Sequence, residues 1–122
     1  LSLLKINGGN SSGIGIGCIN WDGDVYPDQF WRTRVLGNVR RNAFSRIWSG
    51  SGNAFLNNLR DRRAMLKGRC GECHWQDLCN GNSRSRAEAV YNDPWAQEPA
   101  CYLSDEEIHI SRHDPEETAD TL

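Results

Sequence analysis

Four cysteines decide what this chain can fold around. They stand at Cys70-x2-Cys73-x5-Cys79-x21-Cys101. A C-x2-C turn brings two thiols to one centre from a tight loop, and the other two close the site from later chain. Four thiolates suit a tetrahedral zinc ion, or a [4Fe–4S] cube in which each sulfur takes one iron. Structural zinc sites usually offer two short-spaced pairs. Here one pair precedes two isolated cysteines, a scatter that favours the wider cube without deciding the matter. Two disulfides, or buried thiols holding nothing, stay open on spacing alone. The chain has five cysteines, an odd number that precludes complete pairing within it. In a reducing compartment, clustered cysteines are more often ligands than bridges. His74 is a weaker candidate, since four sulfurs already complete a site. Cys18 alternates with Ile14 and Ile16 and reads as a small buried hydrophobe.

A metal centre would also answer a problem of size. The chain has 122 residues, room for one small domain with a modest core, and a metal staple adds stability that such a core lacks. Five tryptophans supply apolar area, and twelve glycines point to a loop-rich fold. No apolar run reaches the roughly 20 residues that cross a bilayer, and no signal-peptide pattern is present. The expectation is a cytoplasmic protein with no membrane partner. The first residue is Leu1 rather than Met, which reads as a piece of a longer chain.

The net charge of −2 hides an asymmetry. Residues 32–69 carry ten Lys or Arg against Asp61 alone, and residues 105–122 carry seven acids against Arg112. A basic middle suits an anionic partner, or equally a solvated helix face.

The remaining pattern predicts an α+β fold: a small irregular domain with an N-terminal β-hairpin, then short helices around the four-cysteine centre. Period-two apolar residues at 14–19, the Asp22-Gly23 turn and Val25-Tyr26 predict a hairpin over about 14–27. Residues 39–49 and 53–67 have helical apolar spacing, with Asn53 as N-cap of the second. Residues 68–82 lack periodicity and are expected to be organised by whatever binds the cysteines. A short helix over 84–91 and a capping box from Ser104 to Glu107 complete the reading. The organisation expected is a connector at 1–13, a cluster domain at 14–110 and a disordered acidic tail at 111–122.

Longer segments resemble a known family. Gly68-Arg69-Cys70-Gly71-x-Cys73-x5-Cys79-x-Gly81-x-x-Arg84-x-Arg86-Ala87, then Asp93-Pro94 and Pro99-Ala100-Cys101-Tyr102-Leu103, resemble the SPASM or twitch-type auxiliary-cluster extension of radical SAM enzymes. Asp24-Val-Tyr-Pro-Asp-Gln-Phe-Trp31, Leu36-Gly-Asn-Val39, Phe44-x-x-Ile47-Trp48 and Asp105-Glu-Glu-Ile108 are most similar to the NirJ family of heme d1 biosynthesis. The resemblance covers about residues 7–110. It implies one auxiliary [4Fe–4S] cluster on Cys70, Cys73, Cys79 and Cys101. A full SPASM domain has seven cysteines and two clusters. This chain lacks the others, and Asp28 stands where many relatives place a cysteine.

The resemblance further implies a radical SAM barrel outside these residues, with a second [4Fe–4S] cluster, S-adenosyl-L-methionine and a C-x3-C-x2-C motif that the chain does not contain. The parent enzyme would be an oxidoreductase or lyase acting on tetrapyrrole propionate side chains. The auxiliary cluster would accept or relay an electron, and an electron-transfer protein is an implied partner. Arg69, Arg84 and Arg86 would tune that cluster or clamp substrate carboxylates, unless Arg84 and Arg86 instead cap or salt-bridge locally to Asp77, Glu88 or Asp93. Two alternatives compete: a zinc-stabilised module binding nucleic acid or protein, and the auxiliary domain of a peptide-modifying maturase. The first lacks a recognition-helix or RNA-reading motif, so no nucleic-acid partner is expected.

Overall fold

The computed structural model describes residues 9–50 and 52–109. The expected acidic tail and most of the connector lie outside them. The chain divides into two compact units, one spanning Ser11–Asp61 and the other Arg62 onward together with the first ten residues. The expected domain at 14–110 thus draws on both.

The Ser11–Asp61 unit holds a three-stranded antiparallel sheet in the order β1-β2-β3: β1 (Cys18–Ile19), β2 (Asp24–Tyr26) and β3 (Gly37–Asn38). Cys18 pairs with Tyr26 and Ile19 with Val25, so the predicted hairpin exists. Its turn needs the conformation Asp22-Gly23 promised: Gly23 has φ +93° and the Asp22 carboxylate accepts the Asp24 N–H. The first strand is shorter than expected. Residues 14–17 do not pair as a ladder, because the Ser11 carbonyl collects the N–H groups of Ile14, Gly15 and Ile16 into a tight turn. Ile14 and Ile16 are accordingly 44% and 46% exposed rather than buried. Alternation over six residues was too little to outweigh a local turn with three hydrogen bonds.

Two helices follow, α1 (Phe44–Trp48) and α2 (Ala54–Arg60). Both are shorter than the apolar spacing predicts. Val39 instead donates its N–H to Gly23 and continues the sheet. Asn53 caps α2 as expected, its side chain accepting the Leu56 N–H at 3.0 Å. At Asp61 the backbone leaves helical geometry, with φ −126° and ψ 57°, and a separate 3₁₀ turn occupies Arg62–Met65. Val25, Trp31, Leu56 and Leu59 form the buried interior of this unit, and Trp31 meets Phe55 edge to face at 5.3 Å.

The second unit contains α3 (Gly68–Glu72), α4 (Gln76–Cys79), α5 (Arg84–Tyr91) and α6 (Asp105–Ile108). Residues 68–82, expected to be irregular, contain α3 and α4. These helices are one turn each and too short to announce themselves by periodicity. Ser83 caps α5 by accepting the Arg86 N–H, and Asn92 ends it in left-handed geometry. The capping box at Ser104 and Glu107 forms in both directions. Trp75, Leu103 and Ile108 make the core, and Cys73, Leu78 and Cys101 pack directly on it. The cysteine site and the hydrophobic core are therefore one structure.

Leu56 is wholly buried. Leu56→Ala should lower unfolding free energy by about 2–5 kcal/mol, read from urea denaturation, through lost burial and the cavity left behind.

Candidate metal centre

Cys70 lies in α3, Cys73 caps the end of that helix, Cys79 closes α4, and Cys101 follows the Pro99-Ala100 turn. All four line a single cavity of about 120 Å³, with Trp75, Leu103 and Ile108 among its apolar walls. His74 is not part of that lining. Its ring instead packs edge to face on Trp75, and its N–H donates to the Ile108 carbonyl at 2.7 Å. Cys18 belongs to β1 of the other unit and does not line the cavity.

Two of the sulfurs accept N–H donors. The Trp75 N–H donates to Cys73 Sγ at 3.3 Å, as a C-x2-C turn allows when the next residues coil back over it. Cys70 Sγ accepts the Glu98 N–H at 3.2 Å and Arg84 Nη2 at 3.7 Å. Asn82 donates its N–H to the Cys79 carbonyl at 3.1 Å, and the Arg69 guanidinium places its charge beside Cys101. Donors aimed at sulfur stabilise thiolate character and set the potential of any iron held there.

The three arginines singled out in the sequence behave differently. Arg84 is 1% exposed, and its guanidinium donates to the carbonyls of Gly81, Pro94 and Ala96 as well as to Cys70. Burial lowers its pKa from the ordinary value, and the Cys70 sulfur beside it opposes that shift. Enclosed on every side, Arg84 is directed at the site rather than at solvent. Arg69 also holds Asp105 at 3.0 Å and the Leu103 carbonyl. Arg86 does not reach a sulfur. It pairs with Glu98 at 2.7 Å, and Glu98 in turn presents its backbone to Cys70. Glu98 was not legible in the sequence, since nothing but the neighbouring Pro99 distinguishes it from a surface carboxylate.

Without a metal the site resists ionisation. Burial raises the Cys73 thiol above its usual value, helped by Cys70 and Cys101 and opposed by the Trp75 N–H. Burial pushes Cys79 up to about 11, and the other three thiols add to the effect. Four crowded sulfurs that oppose one another's charge need a polycation between them. Among the described residues, no three His, Cys, Asp or Glu side chains are gathered closely enough to hold one metal ion.

Gly9 also serves this site. A Cβ on Gly9 would lie 2.4 Å from the Cys79 carbonyl oxygen, so the chain passes there only as glycine.

These features define a class: a small domain with a cavity lined by four thiols. Comparison with known proteins gives the family. Residues 15–74 match SPASM, an iron–sulfur cluster-binding domain, and the chain carries a domain of that family. The match includes Cys70 and Cys73 and stops before Cys79 and Cys101. The chain is 54% identical over 109 residues to Fe-coproporphyrin III synthase of Methanosarcina barkeri, covering 87% of this chain and 27% of that protein. It is 47% identical over 101 residues to pre-heme d1 synthase of Dinoroseobacter shibae, covering 83% and 25%. An AdoMet-dependent heme synthase of Methanosarcina barkeri is 34% identical over 89 residues, covering 73% and 24%. The chain thus spans about a quarter of the length of these relatives. No solved structure matches it significantly. No helix among the described residues is long and apolar enough to cross a membrane.

The raised Cys79 pKa has a consequence for the metal-free, reduced protein. Its folded value of about 11 exceeds the roughly 8.5 of a free thiol, so the folded state favours the protonated form. That contribution should be intact below about pH 8.5 and lost as pH rises toward 11. Urea midpoints across this range should fall, and the loss should shrink in Cys79→Ala. Gly9→Ala should separately weaken retention of iron by forcing the Cys79 loop outward, measured as faster release to a chelator.

Proposed function

We propose that residues 14–110 act as the auxiliary-cluster domain of a radical SAM enzyme, with one [4Fe–4S] cluster on Cys70, Cys73, Cys79 and Cys101. The observation that carries this reading is that all four cysteines line one cavity, with N–H donors on the sulfurs of Cys70 and Cys73. When bound, such a cluster supplies one-electron acceptance or relay. The chain's own residues do the rest. Trp75, Leu103 and Ile108 give the site an apolar wall, while Arg84 and Arg69 place positive charge beside Cys70 and Cys101. Positive charge and N–H donors favour the electron-rich state and so raise the reduction potential.

The parent enzyme is proposed to hold a second cluster and S-adenosyl-L-methionine in a barrel outside these residues, and to act on the propionate side chains of a tetrapyrrole. The names of the relatives support this: one is a pre-heme d1 synthase and another an Fe-coproporphyrin III synthase. An oxidative step on such a side chain leaves an electron that the auxiliary cluster is suited to take, and an electron-transfer protein would then collect it.

A nucleic-acid module has less support than the charge pattern first suggests. Arg60 donates to the Gly13 and Trp48 carbonyls, Arg34 stacks on Phe55, Arg63 pairs with Asp77, and Lys67 pairs with Asp93. The basic stretch is largely engaged within the fold.

Anaerobic reconstitution of this chain should give about four irons with matching sulfide and broad visible absorption. Cys79→Ala should lose that absorption, while Cys18→Ala should keep full iron content. One tightly held zinc and no iron, in protein made under iron-replete anaerobic conditions, would overturn the reading.

A further inference from the structure

We propose that Glu98 is an oxygen donor to the iron at Cys70, which gives the cluster one corner of exchangeable ligation. The inference rests on the [4Fe–4S] reading above and deepens it. Glu98 lines the cysteine cavity, and its side chain is 2% exposed. One carboxylate oxygen, Oε1, accepts from Arg86 at 2.7 Å and from the Ala100 N–H at 3.2 Å. The other, Oε2, is buried with no hydrogen-bond partner. A buried carboxylate oxygen without a donor is costly, and such groups are retained where a cation completes them. Iron is the cation this site is built to hold, and carboxylate oxygen is an accepted ligand for it.

The neighbouring sulfur is the one that most needs help. Cys70 Sγ accepts two donors, the Glu98 N–H and the Arg84 guanidinium. Each draws electron density from the sulfur, and Arg84 does so from a buried position where water screens little. Both contacts therefore weaken the donation of Cys70 to iron. The same residue that supplies one donor to this sulfur also brings a free carboxylate oxygen to the cavity. Pro99 restricts the Glu98 backbone to extended geometry and so fixes both groups. Thiolate and carboxylate each carry one negative charge, so exchange at this corner leaves the net charge of the site unchanged.

Four variants of the reconstituted chain test this, read by iron and sulfide per chain and by EPR of the reduced cluster. Cys70→Ala should keep about four irons with an altered EPR spectrum, whereas Cys70→Ala combined with Glu98→Gln should fall to about three or fewer. Cys79→Ala should lose the cluster outright. Glu98→Gln alone can still accept from Arg86, and should release its first iron to a chelator about tenfold faster, leaving a three-iron EPR signal. The release experiment stands even if Cys70→Ala fails to fold. Cys70→Ala losing iron as fully as Cys79→Ala, or an unchanged release rate in Glu98→Gln, overturns the role of Glu98 while the cluster reading survives. A parent chain that binds no cluster overturns both.

Discussion

Four sulfurs around one cavity are the constraint on which the cysteine-bearing unit depends. They repel as thiolates and resist ionising as thiols, which is why burial and mutual proximity lift Cys79 to about 11. N–H groups from separated parts of the chain meet two of them, Trp75 from the C-x2-C turn on Cys73 and Glu98 before the Pro99 turn on Cys70, while Arg69 from α3 places its charge beside Cys101. Trp75, Leu103 and Ile108 then form a core whose inner surface is the cavity wall. Site and core stand or fall together, as expected when metal binding and folding are coupled.

Charge placement separates the arginines by function. Arg84 gives up solvent to sit between three carbonyls and a sulfur, so its cation acts at short range on Cys70. Arg69 divides itself between Cys101, Asp105 and the Leu103 carbonyl, tying α6 to the site. Arg86 works one step removed, by fixing Glu98. A cluster held here would sit in an asymmetric field, with its strongest positive pole at the Cys70 corner.

Much of this was legible in the sequence, and the misses have causes. Cap residues announce themselves because their chemistry is local, and Asn53, Ser83 and Ser104 each do what their side chains dictate. The hairpin turn was legible for the same reason, since Asp22-Gly23 carries its own mechanism. Ile14 and Ile16 misled because period-two alternation says nothing of a competing turn at Ser11. β3 escaped because Gly37-Asn38 has no apolar signal, only a partner supplied by β2. The spacing marked four cysteines as partners but not their donors. Trp75 and Glu98 act on sulfur through backbone N–H groups, which every residue but proline has. Glu98 became visible only when burial and an unpartnered oxygen were seen together.

Whether the four sulfurs embrace a cluster or a lone ion is decided most directly by iron K-edge X-ray absorption on the anaerobically reconstituted chain. The account predicts a shell of sulfur neighbours and, beyond it, a shell of iron neighbours. Iron surrounded by sulfur with no metal neighbour would contradict it.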